Sequence, residues 1–443
     1  MQVGTSYKEI WKIALPIILG NLVQSILTIT NTAFLGRVGE ITLGASAIGG
    51  VFYFLVITVA MGLAIGPQII IARRTGEGNY QEIGKVFSQA VYILLPLALV
   101  LFFVLRILSP IFFSHVLSSE PICHEANHYL AIMSFVIFFS VLNINYRALY
   151  IGLAKTKVLT YSIIIMVIAN IFFDYSLIFG KFGFPRMGIR GAAVSSIIAE
   201  GCAFIFFTIH ARFFIDNKKL RLFNFVKWSN TETKNILQLS YPSIFQYLIS
   251  IGSWFIFFVI IEQTGELPIA ISNIVRSIMM LIMMPIWGLA TTGNTMVSNI
   301  LGQEKQEEVL ILIRRIINLG FMITIVFLPI IIFKPEWIIR IYTNDVNLIA
   351  GCIKPLYVVY VASIFCVPGA ISLFSLSGTG DTKTSFLIEV VTTSTYLVYA
   401  ILVALVFKMA LEFIWGAEAL YWIMITILAY FRLKSGKWKK IKV

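Results

Sequence analysis

Charge is what this chain of 443 residues has least of: Asp, Glu, Lys and Arg together make up 12% of it. Soluble domains carry about 25%. A water-soluble chain of this length forms roughly two or three domains, each with a polar skin. There is too little charge here to clothe them. Cysteine is scarce as well. Cys123, Cys202, Cys352 and Cys366 lie far apart, without a CxxC pair, which excludes a disulfide framework. Acidic residues number 21 against 34 basic ones, and histidines 4. No phosphate-binding loop and no nucleophile triad stands anywhere in the chain. What is plentiful is apolar: 59% hydrophobic residues, with a mean hydropathy of +0.90. Disorder, collagen and coiled coil are excluded by the same numbers, and a polytopic membrane protein remains.

Helices fit better than a barrel. The apolar runs last about 20 residues or more, enough to cross a bilayer at about 1.5 Å per residue. Barrel strands alternate over about 10 residues. Twelve spans are expected, at 10–34, 42–72, 84–112, 126–150, 158–180, 189–212, 236–261, 268–300, 309–333, 350–377, 384–408 and 411–432. The first run is too long for a signal-peptide core and no small-residue cleavage site follows it, so it reads as a retained span. With the N-terminus inside, 24 of the 34 Lys and Arg fall on the inner side. That bias places both termini in the cytoplasm of a cell that carries the protein in its inner or plasma membrane. It also accounts for the net charge of +13 without any nucleic acid. The tail lysines Lys437, Lys439, Lys440 and Lys442 read as a headgroup anchor.

The chain repeats itself. A shift of 226 residues, with no gap, lays Pro16 on Pro242 and Gly39-Glu40 on Gly265-Glu266. It lays Gly62-Leu63-Ala64 on Gly288-Leu289-Ala290, Gly76 on Gly302, and Gly152, Thr156 and Lys157 on Gly378, Thr382 and Lys383. Each half holds six spans, an even number, so the halves enter the membrane in the same sense. The expected fold is an all-α membrane protein. Its twelve transmembrane helices form two six-helix bundles related by a pseudo-two-fold axis along the membrane normal. Residues 1–212 form the N-lobe, 213–235 a basic cytoplasmic linker, and 236–443 the C-lobe with its basic tail. Parallel repeats of this kind bind substrate between the halves and work by alternating access, so the repeat itself points to a transporter.

Polar side chains in hydrocarbon are costly and mark function. Asn21, Gln24, Thr28 and Asn31 share one face of span 1, where span 7 has Tyr247, Ser250, Trp254 and Phe257. The more polar first half is therefore the expected seat of ion coupling. Asn170 and Asp174 share a face of span 5, and Ser196 and Glu200 a face of span 6. At about 1.5 Å per residue, Asn31, Asp174 and Ser196 lie at one level, each roughly 8–10 Å from the outer ends of their spans. A carboxylate at that depth takes a proton or holds a hard cation such as Na⁺ with the neighbouring oxygens. A neutral packing cluster is the plain alternative. Arg147 is within reach of Glu200 or Asp174, as part of a proton relay or as a buried ion pair. Arg276 and Glu389 form a similar expected pair in the second half, structural or in substrate contact or gating. Gln246 joins them as a candidate cavity residue. Met279, Met280, Met283 and Met284 suit a pliable apolar pocket or simple gap filling, and Met283 is taken as a cavity residue. Pro16 and Pro242 each remove a helical hydrogen bond and permit a kink. One motif points elsewhere. His124-Glu125-Ala126-Asn127-His128 matches the HExxH helix of zinc proteases, and it follows the polar run Ser118-Ser119-Glu120-Pro121. Catalytic zinc needs a third protein ligand, and no His, Asp or Glu occurs between 129 and 173. The match is read as coincidence.

The order and spacing of several motifs resemble the multidrug and toxic compound extrusion (MATE) family, bacterial type. They are Ile29-Thr30-Asn31-Thr32-Ala33-Phe34-Leu35-Gly36 with Val38-Gly39, then Gly62-Leu63-Ala64 with Gln68 and Gly76. Gly152 to Lys157, Gly188 to Ala193 and Gly378 to Lys383 follow. The resemblance implies export of amphipathic, often cationic, organic compounds in exchange for Na⁺ or H⁺. No enzyme activity and no cofactor are implied. The N-lobe ion site of that family uses a span-1 aspartate, an Asn-x-x-x-Asp pair in span 5 and a span-6 hydroxyl. Asn170, Asp174 and Ser196 match these, and Asn31 stands in place of the aspartate, leaving one negative ligand. The family's C-lobe acids are missing: Ser250 holds the span-7 place, and no acid occurs between 346 and 380. Coupling is therefore expected at Asp174, with Asn170, Asn31, Ser196 and Glu200 around it. Small organic molecules and the lipid bilayer are the expected partners, and the chain is expected to act as a monomer. A lipid-linked oligosaccharide flippase of the same superfamily is the alternative; it would need a more basic cavity than Arg147 and Arg276 provide. An intramembrane metalloprotease fails on the missing zinc ligand.

Overall fold

The computed structural model describes residues 2–117, 119–224 and 226–441; of 327–331 the backbone alone is described. Ser118 and Lys442 lie outside these residues. Among them the chain is helical, with no strand. Eleven helices are long and apolar enough to cross a membrane, and twelve if one bent pair counts as a span. The helices are α1 (Tyr7–Gly36), α2 (Glu40–Glu77), α3 (Gln81–Phe103), α4 (Ser109–Val116), α5 (Glu120–Met133), α6 (Val136–Gly152), α7 (Lys157–Phe179) and α8 (Ile189–Phe213). There follow α9 (Asn217–Leu220), α10 (Asn230–Glu262), α11 (Glu266–Gly302), α12 (Glu308–Phe333), α13 (Pro335–Ile339), α14 (Val346–Gly378), α15 (Thr382–Ile401) and α16 (Leu411–Lys434). All twelve expected spans coincide with these helices, α3 and α4 joined by a π turn and α5 and α6 forming the bent pair.

Local chemistry explains the ends and the bend. At the end of α2, Gly78 takes a left-handed conformation (φ 75°), and its N–H returns to the carbonyls of Arg74 and Thr75. The axes of α5 and α6 differ by 52°. No proline stands at the break. The Ala131 carbonyl instead accepts from Arg106 Nη1 at 3.0 Å and from Ser134 Oγ at 2.8 Å, while the Phe135 N–H turns to Ile132. Two side chains have thus taken the acceptor that would have continued the helix.

The chain packs into two compact units. The first comprises Leu19–Ile244 and the second Gln2–Ile18 together with Phe245–Val443. Residues 213–235 thus pack within the first unit, and the first turns of α1 within the second. In the first unit an apolar core draws on α2, α3, α5, α6 and α8, with Leu63, Leu94, Leu130, Ile137 and Ala193 buried in it. The linker is part of this unit. Gln89 of α3 donates to the Lys227 carbonyl and accepts from the Ser229 N–H, and Lys85 pairs with Glu232 at 3.6 Å. The first turns of α10 then cross α2 at close range. Ser240 Oγ donates to the Leu63 carbonyl at 2.6 Å, and a Cβ on Gly62 would lie 2.6 Å from Ile244 Cα.

The second unit holds the beginning of the chain in the equivalent way. Val3 bonds through its N–H to Asn299 and through its carbonyl to Gln303. Arg315 donates to the carbonyl and hydroxyl of Thr5. Arg315 is Gln89 shifted by 226, so each unit uses the same position of its third span to fasten the segment that leads into a first or seventh span. Gly288 meets Ile18 as Gly62 meets Ile244, and both pairs obey the same shift. The units break between Ile18 and Leu19 and between Ile244 and Phe245, two residues after Pro16 and Pro242. Helices α1 and α10 therefore belong to both units, and neither is interrupted at its proline.

Candidate functional site

In the first unit α1, α7 and α8 bring their polar faces together. Asp174 and Asn170 of α7 are buried. With its amide nitrogen turned inward, Asn31 donates to Asp174 Oδ2 at 2.6 Å and to Asn170 Oδ1 at 2.9 Å. Asn170 Nδ2 donates to Ser195 Oγ at 3.1 Å, and Ser195 Oγ donates to the Asn170 carbonyl at 3.0 Å. Ser195 also acts on the Asp174 carboxylate. Asp174 Oδ1 is left buried with no hydrogen-bond partner, and no ion pair within 4.0 Å reaches Asp174 among the described residues. Buried polar atoms are almost always paired, so an orphaned carboxylate oxygen calls for an occupant.

The hydroxyl that the sequence pattern assigned to this cluster, Ser196, is not in it. Ser196 Oγ bonds to the Ala192 carbonyl of its own helix. One residue is 100° around an α-helix, and that step gives the place to Ser195. No spacing rule separates neighbouring serines, so the sequence did not distinguish them. Along α1, Asn21 is half-buried, while Gln24 and Thr28 are exposed and Thr28 bonds to the Gln24 carbonyl.

Glu200 of α8 stands apart from Asp174, with its own partners. Asn143 of α6 donates to both its carbonyl and its carboxylate. Ser140 and Arg147, also of α6, act on the same carboxylate, and Tyr53 of α2 bonds to Ser140 at 3.0 Å. Arg147 thus acts on Glu200, one of its two expected partners.

The second unit is built differently. Glu389 of α15 is buried and accepts from Tyr421 (2.6 Å), Ser250 (2.7 Å), Gln246 (3.5 Å) and Thr393 (3.5 Å). Gln246, a candidate cavity residue, is therefore a neighbour of Glu389. The expected pair with Arg276 does not form: no ion pair within 4.0 Å joins them among the described residues. Arg276 instead lies over the Phe258 ring, 4.9 Å from its centroid. A guanidinium over an aromatic face is held without an acid. Neutral donors have taken the place that the sequence reading reserved for a cation. A second buried acid escaped the sequence reading. Glu418 of α16 accepts from Trp254 Nε1 and Tyr396 OH, each at 3.1 Å. A lone acid inside an apolar span was the available signal. Met283 is buried in α11.

Long apolar helices with buried polar clusters between them define a polytopic membrane protein. The sequence model of the MatE family matches residues 16–176 and 242–414. The chain belongs to this family, the MATE transporters, and is a multi-pass membrane transporter and not an enzyme. A probable multidrug resistance protein NorM of Thermotoga maritima is 28% identical over 446 residues, covering 98% of this chain and 93% of that one. Among solved structures, a MOP-superfamily transporter from Pyrococcus furiosus superposes with a TM-score of 0.89 at 20% identity, covering 99% of this chain and 98% of the other. The eukaryotic MATE transporter AtDTX14 gives 0.84 at 16% identity, over 98% and 96% of the two chains. These structures share the fold.

Proposed function

We propose that this protein is a secondary antiporter that exports amphipathic organic cations in exchange for Na⁺ or H⁺, with Asp174 as the coupling carboxylate. The observation that carries the reading is the orphaned, fully buried Oδ1 of Asp174 beside the amides of Asn31 and Asn170. A proton on that oxygen, or a cation shared with the amide oxygens, removes both the charge and the missing bond. With one carboxylate the site changes from a charge of −1 to 0 when one monovalent ion binds. Burying the uncompensated charge is costly in a membrane, by roughly 2.5–3.5 kcal/mol or more at mid-bilayer. The loaded and empty states therefore differ enough to bias a two-state transporter. Asn31 lies in the part of α1 that packs in the first unit, and Ile18 in the part that packs in the second. A rotation of the Asn31 amide when an ion enters would be felt along one continuous helix.

The relatives named for multidrug resistance support organic substrates. The excess of basic residues among the segments that join the helices supports cytoplasmic termini, and one chain with both halves supports a monomer. The test is efflux of a fluorescent organic cation from proteoliposomes under an imposed Na⁺ gradient, a pH gradient, or neither. One gradient is expected to drive efflux, and Asp174→Asn to lose that drive. If neither gradient moves the cation, drug export falls and lipid-linked substrates become the reading. If Asp174→Asn stays coupled, the site falls.

A further inference from the structure

We infer that His124 and His128 form a two-histidine binding site for a divalent transition metal on the exposed first turns of α5. Their Nε2 atoms face each other at 3.2 Å, with ring centroids 4.4 Å apart and the rings at 73°. Two imidazole nitrogens, each roughly 2.0–2.1 Å from one tetrahedral zinc, stand about 3.3 Å apart. The gap between the rings thus already has the bite of a metal ion. The spacing of four residues puts both side chains on one helix face, which is how the HExxH pattern presents its two ligands.

The site differs from a protease centre in what surrounds it. Among the described residues no group of three His, Cys, Asp or Glu converges on a metal position. Cys123 packs toward the apolar core, and its Sγ accepts from Asn127. Water must fill the remaining coordination positions, so the ion is chelated and open, without the third protein ligand that catalysis by zinc requires. Glu125 Oε1 lies 3.9 Å from His124 Nδ1. On metal binding both Nε2 lone pairs are used and each ring carries its proton on Nδ1. At 3.9 Å Glu125 makes no hydrogen bond to His124, and a side-chain rotation would bring it to Nδ1–H as the usual outer partner of a metal-bound histidine. In the metal-free chain one ring must donate its Nε2–H to the other.

The experiment uses the full chain, purified in detergent without a polyhistidine tag, and Zn²⁺ titrated at neutral pH by calorimetry. One equivalent is expected to bind. His124→Ala and His128→Ala are each expected to weaken binding by at least about tenfold, since even outer partners cost that much. Cu²⁺ in place of Zn²⁺ is expected to show electron paramagnetic couplings from two imidazole nitrogens, reduced to one or none in either variant. Thermal melting without metal is expected to be the same for wild type and variants, because His124 is exposed and His128 only half-buried. Less than one equivalent bound by wild type, or unchanged affinity in both variants, overturns the inference. A variant that melts lower without metal is replaced by His124→Gln, for which the same loss of binding is required.

Discussion

Asp174 in the first unit and Glu389 in the second are both buried acids on helices that face inward, yet they are served in opposite ways. Asp174 has the Asn31 amide as its short donor, with Ser195 beside it, and keeps Oδ1 without a hydrogen-bond partner. Glu389 gathers four neutral donors and needs nothing more. The first arrangement is incomplete without an added ion or proton. The second has its carboxyl oxygens served by hydroxyl and amide groups of the protein itself. The two acids do not stand at equivalent positions of the repeat, since Asp174 shifted by 226 falls on Ala400; the contrast lies in the partners each has.

The sharpest way to break this comparison is to neutralise each acid in turn. Asp174→Asn should abolish gradient-driven efflux, a loss within the roughly 5–150-fold range of a coupling free energy, while Glu389→Gln keeps the gradient dependence. Proteoliposome efflux measures both, and equal losses would end the distinction. Next in size is Asn31→Asp, which places a second carboxylate at 2.6 Å from the first. Like charges so close cannot both ionise, so the pair holds one proton. Efflux should then respond to a pH gradient whatever ion the wild type uses, and a variant driven by Na⁺ alone would contradict the geometry.

Stability should reverse the order of the two acids. Glu389→Gln confronts buried donors with an amide NH₂, so about 1–3 kcal/mol should be lost; Asp174→Asn removes an orphan and should cost less. Thermal melting of the detergent-solubilised protein compares them. The helix crossings give a smaller contrast. An alanine Cβ at Gly62 meets the backbone of Ile244, which cannot yield, whereas at Gly288 it meets first the Ile18 side chain at 2.5 Å, which can rotate. Gly62→Ala should cost about 1–3 kcal/mol and Gly288→Ala less, read by the same melting assay. Smallest is Arg276→Ala. With no acid to leave behind, only its contact with Phe258 is lost, about 0.5–1 kcal/mol.

How much of this was legible beforehand differs by element. All twelve spans, the 226-residue repeat and the Asn31–Asn170–Asp174 cluster followed from residue order, because hydrocarbon forces long apolar runs and makes each buried polar group stand out. Ser195, Glu418 and the failure of the Arg276–Glu389 pair did not follow. Each depends on which of several neighbours a side chain meets once helices are packed. A one-residue turn of α8 moved the hydroxyl, and Phe258 and Tyr421 took up partners that charge alone would have joined.

The sequence by itself determined a twelve-span, two-fold repeated membrane protein with more polar residues on its first span than on its seventh. That much rests on composition and spacing, which one-dimensional hydropathy reports faithfully. Only the tertiary structure decided that the first turns of α1 and α10 belong to the opposite half's unit. It alone also decided that Asp174 keeps an unpaired oxygen while Glu389 does not. Close packing across glycines and the allocation of single hydrogen bonds are properties of neighbours in space, and no local pattern encodes them.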